Sequence, residues 1–361
     1  MIGRKRGIPK ALLDIINPYA WITGIRNKLF DWEILKSRTY STPTICIGNI
    51  TVGGTGKTPH TEYLIRLLMP VFRTAVLSRG YGRNSKGYIK ATVATPMQQI
   101  GDEPFQIKNK FKGIYVAVCE KRAIGIEKLA GDGVPPEVIL LDDAYQHRHV
   151  KAGLNILLID SNRPIWQDCI LPFGRMRESL AGISRADIII ITKCKGLTDE
   201  QKRWCRGFLK EKKDIPVFFS HVRYREPYAL FGEGKECEAA IATGSEVLLV
   251  TGIAKPGPLK REIEERGAHV ELMQYADHHN FTGSDIADIT NKFRTMSNNR
   301  VILTTEKDST RLLQRNDIPE DIKEKIYVIP IGIEIMDGEE NMFNQIILDY
   351  VTENSRNSRI P

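Results

Sequence analysis

No stretch of this 361-residue sequence approaches the about 18–20 consecutive apolar residues that a spanning helix needs, so no membrane-crossing helix is expected. Cysteine is sparse: Cys46, Cys119, Cys169, Cys194, Cys205 and Cys237. No two form a CxxC pair, and none stands at zinc-ligand spacing with a histidine. That excludes a disulfide scaffold and a zinc module, and points to reduced, mostly buried thiols of a cytosolic protein. Internal repeats and low-complexity tracts are absent as well. The start is basic at Arg4-Lys5-Arg6, but the apolar stretch behind it is broken by Lys10, Asp14, Asn17 and Pro18. It carries no small-residue cleavage site, so a secretory leader is not expected.

What is present is ordinary globular composition, 42% hydrophobic and 27% charged. The length exceeds the about 250–300 residues at which a single core stops growing, so two domains are expected. The net charge of +8 suits an anionic partner, whether nucleic acid, acidic lipid or a phosphate-bearing substrate. No recognisable RNA- or DNA-binding motif accompanies it, which argues against nucleic acid. Nothing points to an obligate protein partner.

From Pro43 the chain alternates. Strand-like runs at 44–47, 73–77, 114–118, 138–141, 155–159 and 187–192 are separated by helical stretches such as 58–70, 121–130 and 198–211. Continuous apolar strands alternating with helices give a mostly parallel α/β sheet with helices on both faces. Residues 1–222 form this first domain, and 223–245 read as a linker, possibly a β-hairpin. A second, smaller α/β domain over 246–361 then begins, with strands at 246–250, 269–273, 300–304 and 326–329. A last helix near 339–353 is free to pack on either domain. The segment 9–32 places Leu12, Ile15, Ile16, Tyr19, Ile22, Ile25 and Leu29 at helical spacing, with Pro18 dividing it. It fits a core-packed helix or an amphipathic helix lying in a membrane interface, with Trp21 and Trp32 near the headgroups.

The sharpest motif follows the first strand: Gly48-Asn49-Ile50-Thr51-Val52-Gly53-Gly54-Thr55-Gly56-Lys57-Thr58. A strand, a glycine-rich loop and Gly-Lys-Thr opening a helix make a P-loop for ATP. Thr51, Val52, Gly53, Gly54, Thr55, Gly56, Lys57 and Thr58 would cradle the phosphates with backbone N–H groups and the helix N-terminus. Lys57 would reach the β- and γ-phosphates, and Thr58 would ligate Mg²⁺. A strict P-loop has glycine where this chain has Thr51, which bears on the loop's subtype. The strand 138–141 then delivers Asp142 and Asp143, a Walker-B-like pair for Mg²⁺.

Further polar motifs sit where loops should meet the nucleotide and its acceptor: Ser78 to Arg83 (SRGYGR), Gly101-Asp102-Glu103-Pro104, Asp142 to His147 (DDAYQH), Arg175-Met176-Arg177-Glu178, Asp277-His278-His279 and Thr305-Glu306-Lys307-Asp308. Arg79 and Arg83 could neutralise an anionic substrate, and Gln146, His147, Arg177 and Glu178 are further substrate candidates. Together and in this order, these motifs resemble the tetraacyldisaccharide 4'-kinase family of lipid A biosynthesis. The resemblance covers most of the chain; Ala144 stands where many relatives carry glycine.

The resemblance implies transfer of the ATP γ-phosphoryl group to the 4'-hydroxyl of a tetraacylated disaccharide 1-phosphate, giving lipid IVA. It implies a P-loop domain, a smaller C-terminal domain joined by a β-linker, and a monotopic protein on the cytoplasmic face of the inner membrane, docked on its anionic surface. It also implies an acid–base pair of Asp102 and a histidine of the Asp277-His278-His279 motif. His278 is preferred and His279 remains open. Since the two partners come from different domains, closure would assemble them. The competing reading is a P-loop GTPase or ATPase acting as a switch or metallochaperone. Thr192-Lys193-Cys194-Lys195 follows a strand where a guanine-reading NKxD could stand, but it lacks the aspartate.

Overall fold

A computed structural model describes residues 16–232, 241, 243–277, 279–297 and 299–357. These cluster into two compact units. One runs to Val222 and resumes at Ile333; the other is Arg223–Gly332.

The first unit is built on a nine-stranded sheet in the order β14-β8-β7-β6-β1-β5-β2-β4-β3. Its strands are β1 (Thr44–Gly48), β2 (Thr74–Ser78), β3 (Ile89–Ala91), β4 (Tyr115–Val118), β5 (Val138–Asp142), β6 (Leu154–Asp160), β7 (Ile188–Thr192), β8 (Val217–Tyr224) and β14 (Ile331–Ile335). From β8 to β4 every pairing is parallel, and β3 runs antiparallel to β4. The burial explains the apolar sequence of these strands: β1, β2, β5 and β7 are buried at every position. Alternate side chains feed two cores. Ile45 and Ile47 enter the one covered by α2 (Lys57–Leu68), α3 (Asp102–Lys110) and α9 (Glu340–Asn357). Cys46 enters the other, covered by α4 (Arg122–Ala130), α5 (Asp199–Lys210) and short 3-10 turns at Ile165–Gln167 and Leu180–Arg185.

The last helix, open as to its domain from sequence, joins the first unit: Phe343, Ile347 and Val351 pack with Leu64, Ile156, Ile190 and Phe218. Its Tyr350 hydroxyl donates to the Thr44 carbonyl at 3.1 Å, at the start of β1.

The second unit carries a five-stranded sheet, β11-β10-β12-β13-β9. Here β10 (Glu246–Thr251), β11 (His269–Gln274), β12 (Arg300–Thr305) and β13 (Ile326–Ile329) are parallel, and β9 (Tyr228–Ala229) pairs antiparallel with β13. Two residues of the expected linker are thus an edge strand, and the expected hairpin at 223–245 falls partly outside the described residues. Helices α6 (Gly257–Glu265), α7 (Gly283–Arg294) and α8 (Glu306–Leu312), with a short helical turn at Glu320–Lys323, alternate with these strands. Five cysteines are described, all as free thiols, and four of them are buried; Cys237 lies outside the described residues.

Helix α1 (Pro18–Asp31) begins where Pro18 was expected to divide a longer helical segment. Proline fits the first helical position because its missing N–H has no intrahelical partner there. Asn17 caps it, its side-chain oxygen accepting from the amides of Tyr19 and Ala20 at 3.1 and 3.2 Å. Residues 9–15 of the expected segment lie outside the described residues. The helix is laid on the protein inside out. Asn17, Arg26, Asn27 and Asp31 hydrogen-bond it to the rest of the unit. Tyr19, Trp21, Ile22 and Ile25 face outward, Ile22 being 67% exposed. Of its large apolar residues, Phe30 is the buried one.

Candidate functional site

The phosphate loop leaves β1 at Gly48 and re-enters secondary structure at Lys57, the first residue of α2. Gly48 has no room for a side chain, because a Cβ there would lie 2.6 Å from that of Tyr145. Gly53 and Gly56 take positive φ angles of 109° and 91°, conformations that other residues adopt only under strain. Gly56 is the N-cap of α2 and offers no side-chain cap, which leaves the first amides of the helix for a ligand. Inside the loop, the Asn49 side-chain amide donates to the Thr55 hydroxyl at 2.8 Å. Behind it, His60 bridges the Gly56 carbonyl (2.6 Å) and the Ser220 hydroxyl (3.0 Å). Burial lowers the His60 pKa to about 4, so it stands neutral as a brace.

Asp142 and Asp143 close β5, which lies beside β1 with Ile47 in register with Asp142. Asp142 is buried and accepts from the Thr61 hydroxyl of α2 at 3.1 Å. Burial, and then the charge of Asp143, raises its carboxyl above the usual range, against the opposing pull of Lys57. Asp143 holds a positive φ of 46° and stands between two cations, Lys57 Nζ at 3.5 Å and Arg177 Nη1 at 3.2 Å. Two adjacent carboxylates, one of them raised in pKa, are an oxygen donor set that a further cation would stabilise in its charged form. Among the described residues no cluster of three or more His, Cys, Asp or Glu forms a metal cage. The two carboxylates themselves fit Mg²⁺, which takes one or two carboxylates and fills its remaining positions with water and phosphate oxygen.

A strap over residues 169–178 crosses the loop. The Val52 amide donates to the Arg175 carbonyl and the Arg177 amide to the Ile50 carbonyl, both at 2.7 Å. The strap delivers Arg177 to Asp143 and to the Gln146 side-chain oxygen (3.2 Å). It also buries Glu178, whose carboxylate accepts from Arg185 at both oxygens (2.8 Å), from Gln146 (3.0 Å) and from Asn27 of α1 (3.0 Å). Gln146 donates in addition to the Asn49 carbonyl at 2.7 Å, and its own carbonyl accepts from Arg26 at 3.1 Å. Sequence-selected Gln146, Arg177 and Glu178 are therefore one network with the phosphate loop and α1. His147 is half-buried, and burial with the charges of Arg122, Arg79 and Arg26 lowers its pKa to about 4.

The SRGYGR and GDEP motifs meet at their backbones. Gly80 and Gly101 both have positive φ, and a Cβ at Gly101 would lie 2.7 Å from the Tyr81 carbonyl. That contact sets Asp102 at the first position of α3, beside the 78–83 loop. Arg79 is exposed. Arg83 is committed elsewhere: its buried guanidinium donates to Glu120 (2.5 Å) and to the Gly87 carbonyl (2.7 Å). That geometry makes Arg83 a brace of its own loop.

In the second unit, Asp277 pairs with Lys307 at 2.5 Å. His279 bonds Asp285 at 2.9 Å, the residue that closes the capping box of α7, and stacks on Tyr275. His279 is thus built into a helix start. His278 lies outside the described residues. Thr305 caps α8, its hydroxyl accepting from the Asp308 amide at 3.2 Å, and the buried Asp308 carboxylate accepts from the Thr251 hydroxyl and the Gly252 amide at 2.9 and 3.0 Å.

The model of the LpxK family, tetraacyldisaccharide-1-P 4'-kinase, matches residues 10–352. The chain belongs to this family. The tetraacyldisaccharide 4'-kinase of Bacteroides fragilis (strain YCH46) is 45% identical over 358 residues, covering 95% of this chain and 94% of its own. That of Phocaeicola vulgatus is 46% identical over 350 residues, covering 94% and 96%. A solved structure of LpxK from Aquifex aeolicus in complex with ATP superposes with a TM-score of 0.73 at 27% identity, covering 94% of this chain and 98% of that one.

For this LpxK-family chain, sequence reading missed several residues that touch the site: Asn27, Asn49, Asp160, Arg185, Thr192 and Lys193. Asn49 lies within the loop motif, and Thr192 and Lys193 lie in the segment weighed as a guanine reader. Asn27 and Arg185 carried no local signal, because their partners stand 151 and 7 residues away along the chain.

Proposed function

We propose that the chain is an ATP-dependent kinase that phosphorylates the 4'-hydroxyl of a tetraacylated glucosamine disaccharide 1-phosphate, yielding lipid IVA. The observation that carries this reading is a family match over nearly the whole chain, on a chain whose phosphate cradle, Lys57 and acidic pair stand together. The switch reading loses ground because the segment after β7 offers lysines where a guanine base needs a carboxylate.

In this reading the loop from Thr51 to Thr58 holds the triphosphate, and Lys57 neutralises its terminal oxygens. Thr58, Asp142 and Asp143 are the residues for Mg²⁺, which when bound would draw charge off the bridging and terminal phosphate oxygens. Arg177, 3.2 Å from Asp143, would keep that carboxylate oriented. Asp102 takes the proton of the sugar hydroxyl, with His278 as its partner; such a base contributes about 10²–10⁴-fold. Arg79 and His147 are candidates for holding the acceptor.

The acceptor's acyl chains sit in a bilayer while its sugar stands at the surface. The outward Tyr19, Trp21, Ile22 and Ile25 of α1 give the protein a face that water disfavours and a membrane interface accepts. The reading is of a monotopic protein on the cytoplasmic face of the inner membrane.

The test is transfer of labelled γ-phosphate from ATP to purified tetraacyldisaccharide 1-phosphate in detergent micelles. The expected result is lipid labelling that falls by about 10²-fold or more in Lys57→Ala. ATP hydrolysis with no labelled lipid would favour the switch reading. Near-normal turnover in Asp102→Asn would remove Asp102 as the base.

A further inference from the structure

The end of β7 reaches across to the tip of the phosphate loop, and the mechanism above makes no use of it. The buried Thr192 hydroxyl donates to the Thr55 carbonyl at 3.0 Å. The next residue, Lys193, takes a positive φ of 63°, which a lysine adopts only when its surroundings hold it there. Its Nζ donates to the Gly54 carbonyl at 2.5 Å and to Asp160 Oδ2 at 2.6 Å. Asp160 is itself fixed. It ends β6 in register with Thr192, and its other oxygen accepts from the Asn162 amide at 2.9 Å. The Ser161 hydroxyl donates to the Lys193 carbonyl at 2.9 Å, tying the two strand ends together.

We propose that Thr192 and Lys193 are positioning residues that clamp two consecutive carbonyls of the phosphate loop and thereby preset the amides that receive the triphosphate. The reasoning is covalent. In a trans peptide the C=O and the following N–H point in opposite directions. Holding the Gly54 carbonyl on the β7 side turns the Thr55 amide away from β7; in the free loop it closes a turn onto the Gly53 carbonyl at 3.1 Å, a bond that an incoming phosphate oxygen would replace. Holding the Thr55 carbonyl does the same for the Gly56 amide at the cap of α2. Gly53 and Gly54 are exposed and have nothing within 4 Å of their Cβ positions, so packing does not order them. Two hydrogen bonds from a rigid strand end supply that order instead. The lysine contributes a charged donor to a neutral carbonyl, the stronger class of bond. The free loop is thus held in its binding shape, and binding spends less on ordering it.

This inference rests on the ATP reading, and the experiment separates the two. Affinity for a fluorescent ATP analogue is measured on the full chain without lipid acceptor, followed by steady-state kinetics with acceptor. The variants are Thr192→Val, which keeps shape but loses the donor, Lys193→Met, which keeps the stem but loses the charge, and Lys193→Arg. Lys193→Met is expected to weaken nucleotide binding about tenfold and Thr192→Val by about threefold to tenfold. The KM for the acceptor should stay unchanged, and Lys193→Arg should bind closer to wild type than Lys193→Met. Nucleotide affinity within twofold of wild type in both Thr192→Val and Lys193→Met overturns the clamp, as does a matching rise in acceptor KM or equal behaviour of the Arg and Met variants. A wild-type chain that fails to bind the analogue overturns the ATP reading instead.

Discussion

Glu178 shows how one side chain can carry a site it does not itself catalyse. It is 3% exposed and accepts hydrogen bonds from Arg185, Gln146 and Asn27. Replacing it with alanine leaves the Arg185 charge without its carboxylate, and breaking such a pair costs about 3 kcal/mol or more. Chemical denaturation of Glu178→Ala should register that loss, and Glu178→Gln, which keeps the acceptor oxygen, should lose less. His60 gives a pH signature. Its pKa falls from 6.5 to about 4 on folding, so the folded chain binds fewer protons than the unfolded one in that interval. Its contribution is complete above pH 6.5 and is lost as pH falls toward 4. His147 shifts the same way. The denaturation midpoint of the wild type should therefore drop between pH 7 and pH 5, and the drop should be smaller in His60→Gln. An equal drop in that variant would place the acid sensitivity elsewhere.

Among the elements, α1 carries the clearest prediction. Its Tyr19, Trp21, Ile22 and Ile25 face outward while Phe30 and its polar side chains hold the protein, so charge on the outer face should disturb docking without disturbing fold. Ile22→Asp combined with Ile25→Asp is expected to cut partitioning onto anionic vesicles by about tenfold or more while leaving nucleotide affinity unchanged. Unaltered partitioning would remove α1 as the docking element. The inversion was not legible from spacing, since helical periodicity says that one face is apolar but not which way it points. The central strands were legible because burial on both faces writes an unbroken apolar run, as in Val138 to Leu141 and Ile188 to Ile191. Helix α3 was not, because Gly101-Asp102-Glu103-Pro104 has the composition of a turn and also of a helix start. Strand β14 hides in IPIGIEIM, where a proline and a glycine blur the alternation. The phosphate loop and the acidic pair were readable as motifs. The Glu178 network and the β7 clamp were not, because their contacts join residues far apart in sequence.

For the molecule as a whole, the formal charge of +8 would add a long-range attraction to the docking proposed for α1. Attraction to anionic headgroups is screened by salt, with a Debye length of about 8 Å at physiological ionic strength. Activity on acceptor in anionic vesicles should fall as salt is raised from 0.05 to about 0.5 M, and activity on acceptor dispersed in neutral detergent should fall less. Equal salt dependence in both would detach the charge from docking. The two-unit division itself is a property of packing. Residues after Ile333 return to the first unit because α9 supplies Phe343, Ile347 and Val351 to its core, each worth roughly 1.5–3 kcal/mol when buried.

That return sets an order of assembly on the ribosome. The second unit is one continuous stretch, Arg223–Gly332, and is complete as soon as it emerges. The first unit is begun earlier but finished later, because one core stays uncovered and β1 lacks its Tyr350 anchor until the last helix has been made. A nascent chain stopped before Glu340 should therefore remain bound by chaperones, whereas one that includes the helix through Asn357 should be released.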